Sequence, residues 1–515
     1  MDKLRILVVE NRANWLEELP KVLQRVGNSP LIDLAVTFDR AVEYLTRDFY
    51  DLAVIDLALT DSPTDTEARD EKGMELVRRL RSNRQNEGCG VIILTGYPSS
   101  ERTRRALRDY TADDFMEKDK FSSADFLVAA RRAIGAARLR RASQRSAERY
   151  RLTISFSREH LTGVSLVGPD RRVTYWAQEQ RRFAAADLAR RADNLNLLIL
   201  QGGADLWRPE ARSIGEAIGE AMANDRHIFG ELTAAKAHVA HLSDLWLEFS
   251  GPAEGLGIPF ELLRDEVDYL VLSHMMTRRL DSSGFPASRK PEPYLGFIQH
   301  LIKRHEPLRV LLVAANSDGN IPAVETEVAA ISTIIRTGFE QIGIKSEIDV
   351  LSGDQATLDV VADRLRSRVY HLFHYAGHGR FDDKLPETSG LVFCSGANTR
   401  VLTASDLNLL MRDTDLRMVF LSACVSARSA ERAGRGDFYG IMEALARADV
   451  PIVVGYRWTV GDEAALQIAE TFYRELWRTL SPAEALLETR RWAAMGPRGR
   501  DEDSWASPVM LMQNG

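Results

Sequence analysis

From Leu4 to about Ala137, short apolar runs alternate with amphipathic stretches. RILVV, LIDLAV, LAVID, VIILT and DFMEK read as strands, because short apolar runs with little alternation suit strands covered on both faces. Ala13–Val26, Arg40–Leu45, GMELVRRLR, Glu101–Leu107 and ADFLVAARRAIGAARL carry apolar residues at helical spacing. Five buried strands interleaved with helices predict a doubly wound parallel sheet, whose ligand site lies at the carboxyl ends of the strands.

A second pattern of this kind begins at Leu308. RVLLVAA, EIDVLS, VYHLFHYAGHG, DLNLLM, RMVFLSAC and VPIVVGYRW are its apolar runs, read as strands. Helices are predicted near Ala323–Thr337, Ala356–Leu365 and Tyr439–Ala448, with a long one after Gly461. The intervening stretch, from about 150 to 290, is mixed α/β. RLTISFS and DLWLEFS are strands there, SIGEAIGEAMA is a helix, and GLGIPFELLRDEVDYLVLSHMMTRRL is a turn, a short helix and a strand. Between Arg131 and Arg151, six further arginines (132, 138, 140, 141, 145 and 149) are opposed mainly by Glu148, which predicts a helical linker with a solvated charged face. The seams therefore fall at 1–137, 138–151, 152–300 and 301–515.

Composition narrows the partners. The 515 residues are 45% hydrophobic and 27% charged, as in soluble globular domains. Lys plus Arg total 67 against 74 Asp plus Glu, a net charge of −7, so there is no basic field for nucleic acid. No run of about 18 apolar residues predicts a membrane span, and the amino terminus has no long apolar signal region, so a soluble cytoplasmic protein is expected. The three cysteines, 89, 394 and 424, are too few for a disulfide framework and suit a reducing compartment.

The strand ends carry the chemistry. In the first pattern they present Glu10 and Asn11, Asp56, Thr95 and Lys118. In this the first 135 or so residues resemble the receiver domains of bacterial response regulators. The resemblance implies that Asp56 accepts a phosphoryl group from a histidine kinase, that Thr95 senses it, and that Lys118 pairs with it. It also implies a magnesium ion held by an acidic pair and Asp56. Here that pair reads Glu10-Asn11, which removes one carboxylate and weakens the metal site. Lys118 is followed by Asp119 and Lys120 where the family usually has a cis-proline turn. The alternative is a receiver fold kept as a docking or dimerisation platform, with Asp56 a structural carboxylate.

In the second pattern one apolar strand ends at Ala376-Gly377-His378-Gly379 and another at Ser422-Ala423-Cys424. Adjacent parallel strands bring their carboxyl ends together, so His378 and Cys424 can meet as general base and nucleophile. The backbone N–H groups of Gly379 and Cys424 are the candidate oxyanion hole. His371 and His374 precede the motif as structural or supporting residues, with His374 on the face of His378; they lack the spacing of a metal site. Cys394 reads as a small core residue.

This region resembles the CHAT domains, caspase-like relatives of separase and gingipain. The motifs occur in order: IPFELLRD at 258–265, HYAGHGRF at 374–381, LSACVSA at 421–427, GYRWTVGDEAA at 455–465 and SWASPVML at 504–511. The resemblance implies a cysteine endopeptidase with His378 and Cys424 as its dyad, needing no cofactor for proteolysis. Residues 152–300 then match the family's non-catalytic amino-terminal part and 301–515 the catalytic part. The turn at Trp458–Asp462 corresponds to the wall of the S1 pocket, so Asp462, or Asp437 in GRGDFYG, could favour Arg or Lys at P1. Asp462 could instead cap the following helix, and that role is placed first.

The expected protein is a receiver-regulated bacterial protease that cleaves a protein substrate in signalling, immunity or regulated cell death. Two alternatives stand beside it: a catalytically silent scaffold, and a phosphorylation-driven response regulator whose output is homodimerisation.

Overall fold

The computed structural model describes residues 3–513 apart from 28, 62–69, 84, 97–110, 158–159, 171, 183–184, 202–203, 253–254, 256, 281–291, 318, 381–387, 396–397, 426–437, 497–498 and 500–501. The chain divides into two compact units, one of residues 1–144 with 302–306 and 337–345, the other of the remainder.

In the first unit β1 (Arg5–Val9), β2 (Leu31–Ala35), β3 (Leu52–Ile55), β4 (Gly90–Thr95) and β5 (Asp114–Glu117) form an all-parallel sheet in the order β2-β1-β3-β4-β5. The central strands β1, β3 and β4 are apolar because each feeds two cores. Leu7, Val9, Ala53, Ile55, Val91 and Ile93 face helices Phe38–Arg47 and Asp70–Ser82. The alternate residues Ile6, Val8, Leu52, Val54, Ile92 and Leu94 face Trp15, Leu19, Phe126 and Ile134. This is the parallel sheet expected from the alternation. The helix anticipated at 101–107 lies outside the described residues.

The last helix of this unit runs on as one element, Ser123–Glu148. Arg132 and Arg145 are exposed, as a solvated face requires, but Arg140 and Arg141 depart from it. Arg140 donates to both carboxylate oxygens of Asp113, at 2.7 and 2.9 Å, and Arg141 to Asp51 at 2.9 Å. Short acidic side chains at the amino-terminal ends of β3 and β5 offer these guanidinium groups fixed partners, which a pattern read along one helix does not reveal.

The second unit is built on one sheet of 13 strands among the described residues. Its strands are β6 (Tyr150–Phe156), β7 (His160–Val167), β8 (Val173–Arg182), β9 (Leu245–Gly251), β10 (Met275–Leu280), β11 (Leu308–Ala315), β12 (Ser346–Ser352), β13 (Leu372–Arg380), β14 (Gly390–Ser395), β15 (Asn398–Thr403), β16 (Met418–Val425), β17 (Ile452–Tyr456) and β18 (Pro508–Met512). The order is β12-β11-β13-β16-β17-β18-β10-β9-β6-β7-β8, with the β14–β15 hairpin paired to β13. The stretches at 152–300 and 301–515 therefore share a sheet, joined where β18 meets β10, and the apolar cluster built mainly on the first stretch also takes in Trp458, Ala493, Trp505 and Ala506 from the second.

DLNLLM is not a strand. It lies in the helix Ala404–Met411, whose first turn is capped by Thr403 Oγ1 accepting from Asp406 N at 3.2 Å. Leu407, Leu410 and Met411, spaced i, i+3, i+4, are the buried residues. No helix among the described residues is long and apolar enough to cross a membrane.

Candidate active site

The centre of the second sheet consists of parallel strands β11, β13, β16 and β17. Register pairs His374 with Phe420, Ala376 with Ser422, and His378 with Cys424. Adjacent strands lie about 4.8 Å apart, so the backbones of His378 and Cys424 are immediate neighbours at the carboxyl edge. His378 is half-buried at the end of a strand otherwise buried from Leu372 to Gly377. Gly379 is paired with Val425 on one side and Leu391 on the other. The Cys424 side chain and Asp437 lie outside the described residues.

Beneath this edge His374 is fully buried. Its Nε2 is 3.0 Å from Glu327 Oε1, its Nδ1 is 3.3 Å from the Tyr473 hydroxyl, and its ring stacks on Phe420. Helices Ala323–Gln341 and Asp462–Thr479 supply these partners. His371 sits at the opposite end of β13, where its Nδ1 accepts from the backbone N–H of Arg309 at 3.1 Å. Burial pulls its imidazole down to about 4, so it is neutral at physiological pH. On the other face of β13 the Tyr375 hydroxyl donates to the carbonyl of His378. Glu327, Tyr473 and Tyr375 gave no signal in sequence, since ordinary amphipathic and strand patterns accommodate all three.

The turn after β17 is tied down. Trp458 is 3% exposed and its indole N–H donates to Ala192 O at 3.0 Å, while its backbone N–H donates to Ser507 Oγ at 3.0 Å. Gly461, not Asp462, occupies the cap position of helix Asp462–Thr479, with no side-chain cap bond. Asp462 is the first helical residue and is exposed, where its charge complements the helix dipole. It is therefore not the cap.

Below the turn lies a buried ionic cluster. Arg278 donates through Nε to Glu261 Oε1 at 2.9 Å and through a second nitrogen to Glu261 Oε2. Arg457 donates to Gly257 O and Arg490 to Pro508 O. Burial pushes the Glu261 carboxyl up, but Arg278, helped by Arg490 and Arg457, outweighs it and holds it below the usual carboxylate range. Burial pulls Arg490 down to about 10.

Residues 215–513, spanning Glu261, both strand ends, the Trp458 turn and β18, match the CHAT domain family. The chain belongs to the CHAT family. No curated protein matches it. Its amino-terminal quarter is similar to solved receiver domains. One is a CheY-like response regulator domain from Methanospirillum hungatei JF-1, at 24% identity over 26% of this chain and 97% of that one, with TM-score 0.23. Another belongs to a sensor histidine kinase of Pseudomonas aeruginosa PAO1, solved with magnesium in its active-site cleft: 21% identity, 26% and 99% coverage, TM-score 0.22. A third is from a LuxO-type repressor of Vibrio parahaemolyticus, at 20% identity, 28% and 98% coverage and TM-score 0.24.

This CHAT protein keeps the receiver residues together at the carboxyl edge of the first sheet. Lys118 Nζ is 2.5 Å from Glu10 Oε2 and 2.7 Å from Asp56 Oδ2, all three side chains being at most 3% exposed. The turn Lys118–Lys120 thus delivers the lysine without a proline. Thr95 is buried at the end of β4. Glu10 Oε1 accepts from the backbone N–H groups of Asn11 and Arg12, at 3.0 and 2.9 Å, and Asn11 Nδ2 donates to Ala58 O at 3.0 Å. Burial, then the nearby Asp56 charge, raises the Glu10 carboxyl even against Lys118. Asp56 Oδ1 is buried without a hydrogen-bond partner. One open carboxylate oxygen is less than a hard divalent cation takes. Glu10 is spent on Lys118 and two N–H groups, and Asn11 is turned onto a backbone carbonyl. As arranged, the cluster does not fit magnesium. Among the described residues no group of three or more His, Cys, Asp or Glu is placed to hold a metal.

Proposed function

We propose that this protein is a cytoplasmic cysteine endopeptidase whose nucleophile is Cys424 and whose general base is His378, governed by its receiver. The observation that supports it is the pairing of His378 with Cys424 across adjacent parallel strands within the CHAT match. In the reaction His378 takes the thiol proton, the Cys424 sulfur attacks the scissile carbonyl carbon, and the proton passes to the leaving amine. Water then hydrolyses the thioester, releasing the acyl product and restoring the thiol. The Gly379 and Cys424 N–H groups would stabilise the tetrahedral oxyanion, and exposed Asp462 would favour a basic P1 side chain. The substrate is a protein in bacterial signalling, immunity or regulated cell death. The receiver controls it either through phosphorylation of Asp56 by a histidine kinase or as a docking and dimerisation platform.

Full-length protein and its Cys424→Ala variant, each added to a bacterial lysate, test this by mass spectrometry of new amino termini. Cuts that require Cys424, with Arg or Lys before the cut, are expected. An identical set of termini from both proteins would leave a scaffold. Asp56→Ala then separates phosphorylation from docking, since only the former loses its response to a phosphodonor.

A further inference from the structure

We propose that Tyr375 is a positioning residue for His378, holding the histidine's own peptide in place from the opposite face of the sheet; this rests on the protease assignment above. Tyr375 belongs to the buried cluster on the face of β13 away from His374, and its ring packs edge-on against Phe393 at 5.2 Å. Its hydroxyl does not point along that core. It donates to His378 O at 2.9 Å and to Val392 O at 2.6 Å, one proton shared between two carbonyls.

The location of this bond explains its use. On this side of β13 the ladder changes partner: pairing with β11 ends at Gly377–Ala315, and pairing with β14 begins at Gly379–Leu391. His378 lies at the change-over. A side-chain hydroxyl there, itself fully buried, clamps the His378 peptide to β14 through Val392. A peptide is planar, so fixing its carbonyl fixes the plane that joins His378 to Gly379, and with it the direction from which the imidazole leaves the backbone.

Gly377 makes room for the clamp. A Cβ at 377 would sit 2.5 Å from the Tyr375 hydroxyl, 2.7 Å from its Cζ and 3.0 Å from Ala315 O. Any side chain there would displace the hydroxyl from His378. The glycine before the histidine and the tyrosine two residues further back therefore form one device, and neither needs to touch substrate.

The test reads Cys424 directly and needs no substrate. Iodoacetamide alkylates a thiolate with loss of iodide, and the pH at which alkylation of the Cys424 peptide reaches half its plateau reports how well His378 lowers the thiol from its ordinary value of about 8.5. Cys89 serves as an internal control, because burial pushes its thiol up to about 12. In full-length protein the wild-type midpoint should lie about one unit or more below 8.5, and His378→Ala should abolish that shift. Tyr375→Phe, which keeps the ring, should reproduce most of the rise in midpoint seen in His378→Ala. Gly377→Ala, whose Cβ meets the Tyr375 hydroxyl and Cζ, should give the same rise alone, and it carries the test if Tyr375→Phe does not fold by its melting profile. A depressed midpoint that depends on His378 but ignores both variants overturns the clamp and leaves the protease assignment standing. A wild-type Cys424 that is unreactive, or whose midpoint ignores His378→Ala, overturns the assignment and the clamp together.

Discussion

Glu261 offers the sharpest test of how the CHAT unit is held together. It is 1% exposed, and Arg278, Arg457 and Arg490 are 1%, 8% and 1% exposed, so a single buried carboxylate faces three guanidinium groups. Glu261→Gln keeps the volume and removes the charge. The two bonds from Arg278 lose their ionic acceptor, and the charge that offsets Arg278, Arg490 and Arg457 is removed, the situation in which breaking a buried pair costs about 3–5 kcal/mol. For a unit of this size, roughly 2 °C per kcal/mol gives a fall of about 6–10 °C in the thermal transition of the CHAT unit, followed by circular dichroism on the full chain. The folded carboxyl lies below its ordinary range, so its contribution is present above about pH 4.5 and fades as pH falls through the folded value. The deficit of Glu261→Gln should shrink accordingly at low pH. Adding Arg278→Met to Glu261→Leu should recover stability relative to Glu261→Leu alone, because a matched apolar pair replaces an orphaned cation. A loss below about 1 kcal/mol for Glu261→Gln, or strict additivity in the double variant, would refute the cluster as a stabilising unit.

Other measurements follow from the same geometry. Asp503 is half-buried, its Oδ2 is enclosed without a hydrogen-bond partner, and desolvation raises its carboxyl to about 7. A raised folded value means its stability contribution is intact below the ordinary carboxylate range and is lost as pH rises through about 7; Asp503→Asn should raise the melting temperature at pH 8 and not at pH 4, and an equal shift at both would contradict this. Millimolar magnesium should leave the wild-type receiver transition unmoved, whereas Asn11→Asp, which releases Ala58 O and adds a carboxylate, should gain about 1.4 kcal/mol at tenfold excess over Kd; a wild-type gain of that size would show that the cluster opens for the metal. Lys118→Met strands two buried carboxylates at Glu10 and Asp56. It should cost about 3 kcal/mol or more near neutral pH and much less below pH 4, by denaturant titration; a pH-independent loss would count against the ion triad.

Much of the architecture was legible along the chain because the central strands of both sheets are buried on both faces, which writes them as apolar runs. RILVV, LAVID, VIILT, RVLLVAA and RMVFLSAC carry that signature, and parallel strands with short ends also place Asp56 near Lys118 and His378 beside Cys424 by topology alone. DLNLLM misled because six residues span less than two helical turns, so only the Thr403 cap and the burial of Leu407, Leu410 and Met411 distinguish helix from strand. The region from 150 to 290 was legible only in part: RLTISFS, DLWLEFS and the strand ending MMTRRL are β6, β9 and β10, but β8 is largely polar and does not read as an apolar run.

The amino-acid sequence by itself determined the order of elements, the two sheets, the family motifs and the residue types at the strand ends, since these depend on periodicity and on local chemistry. Only the tertiary structure decided which polar groups inside the fold find one another. Glu327 with His374, Glu261 with Arg278, Arg140 with Asp113 and Tyr375 with the His378 carbonyl are partnerships set mostly across long separations by strand register and packing. A buried polar group must be paired or strongly destabilise the fold, but nothing in its own neighbourhood along the chain names the partner.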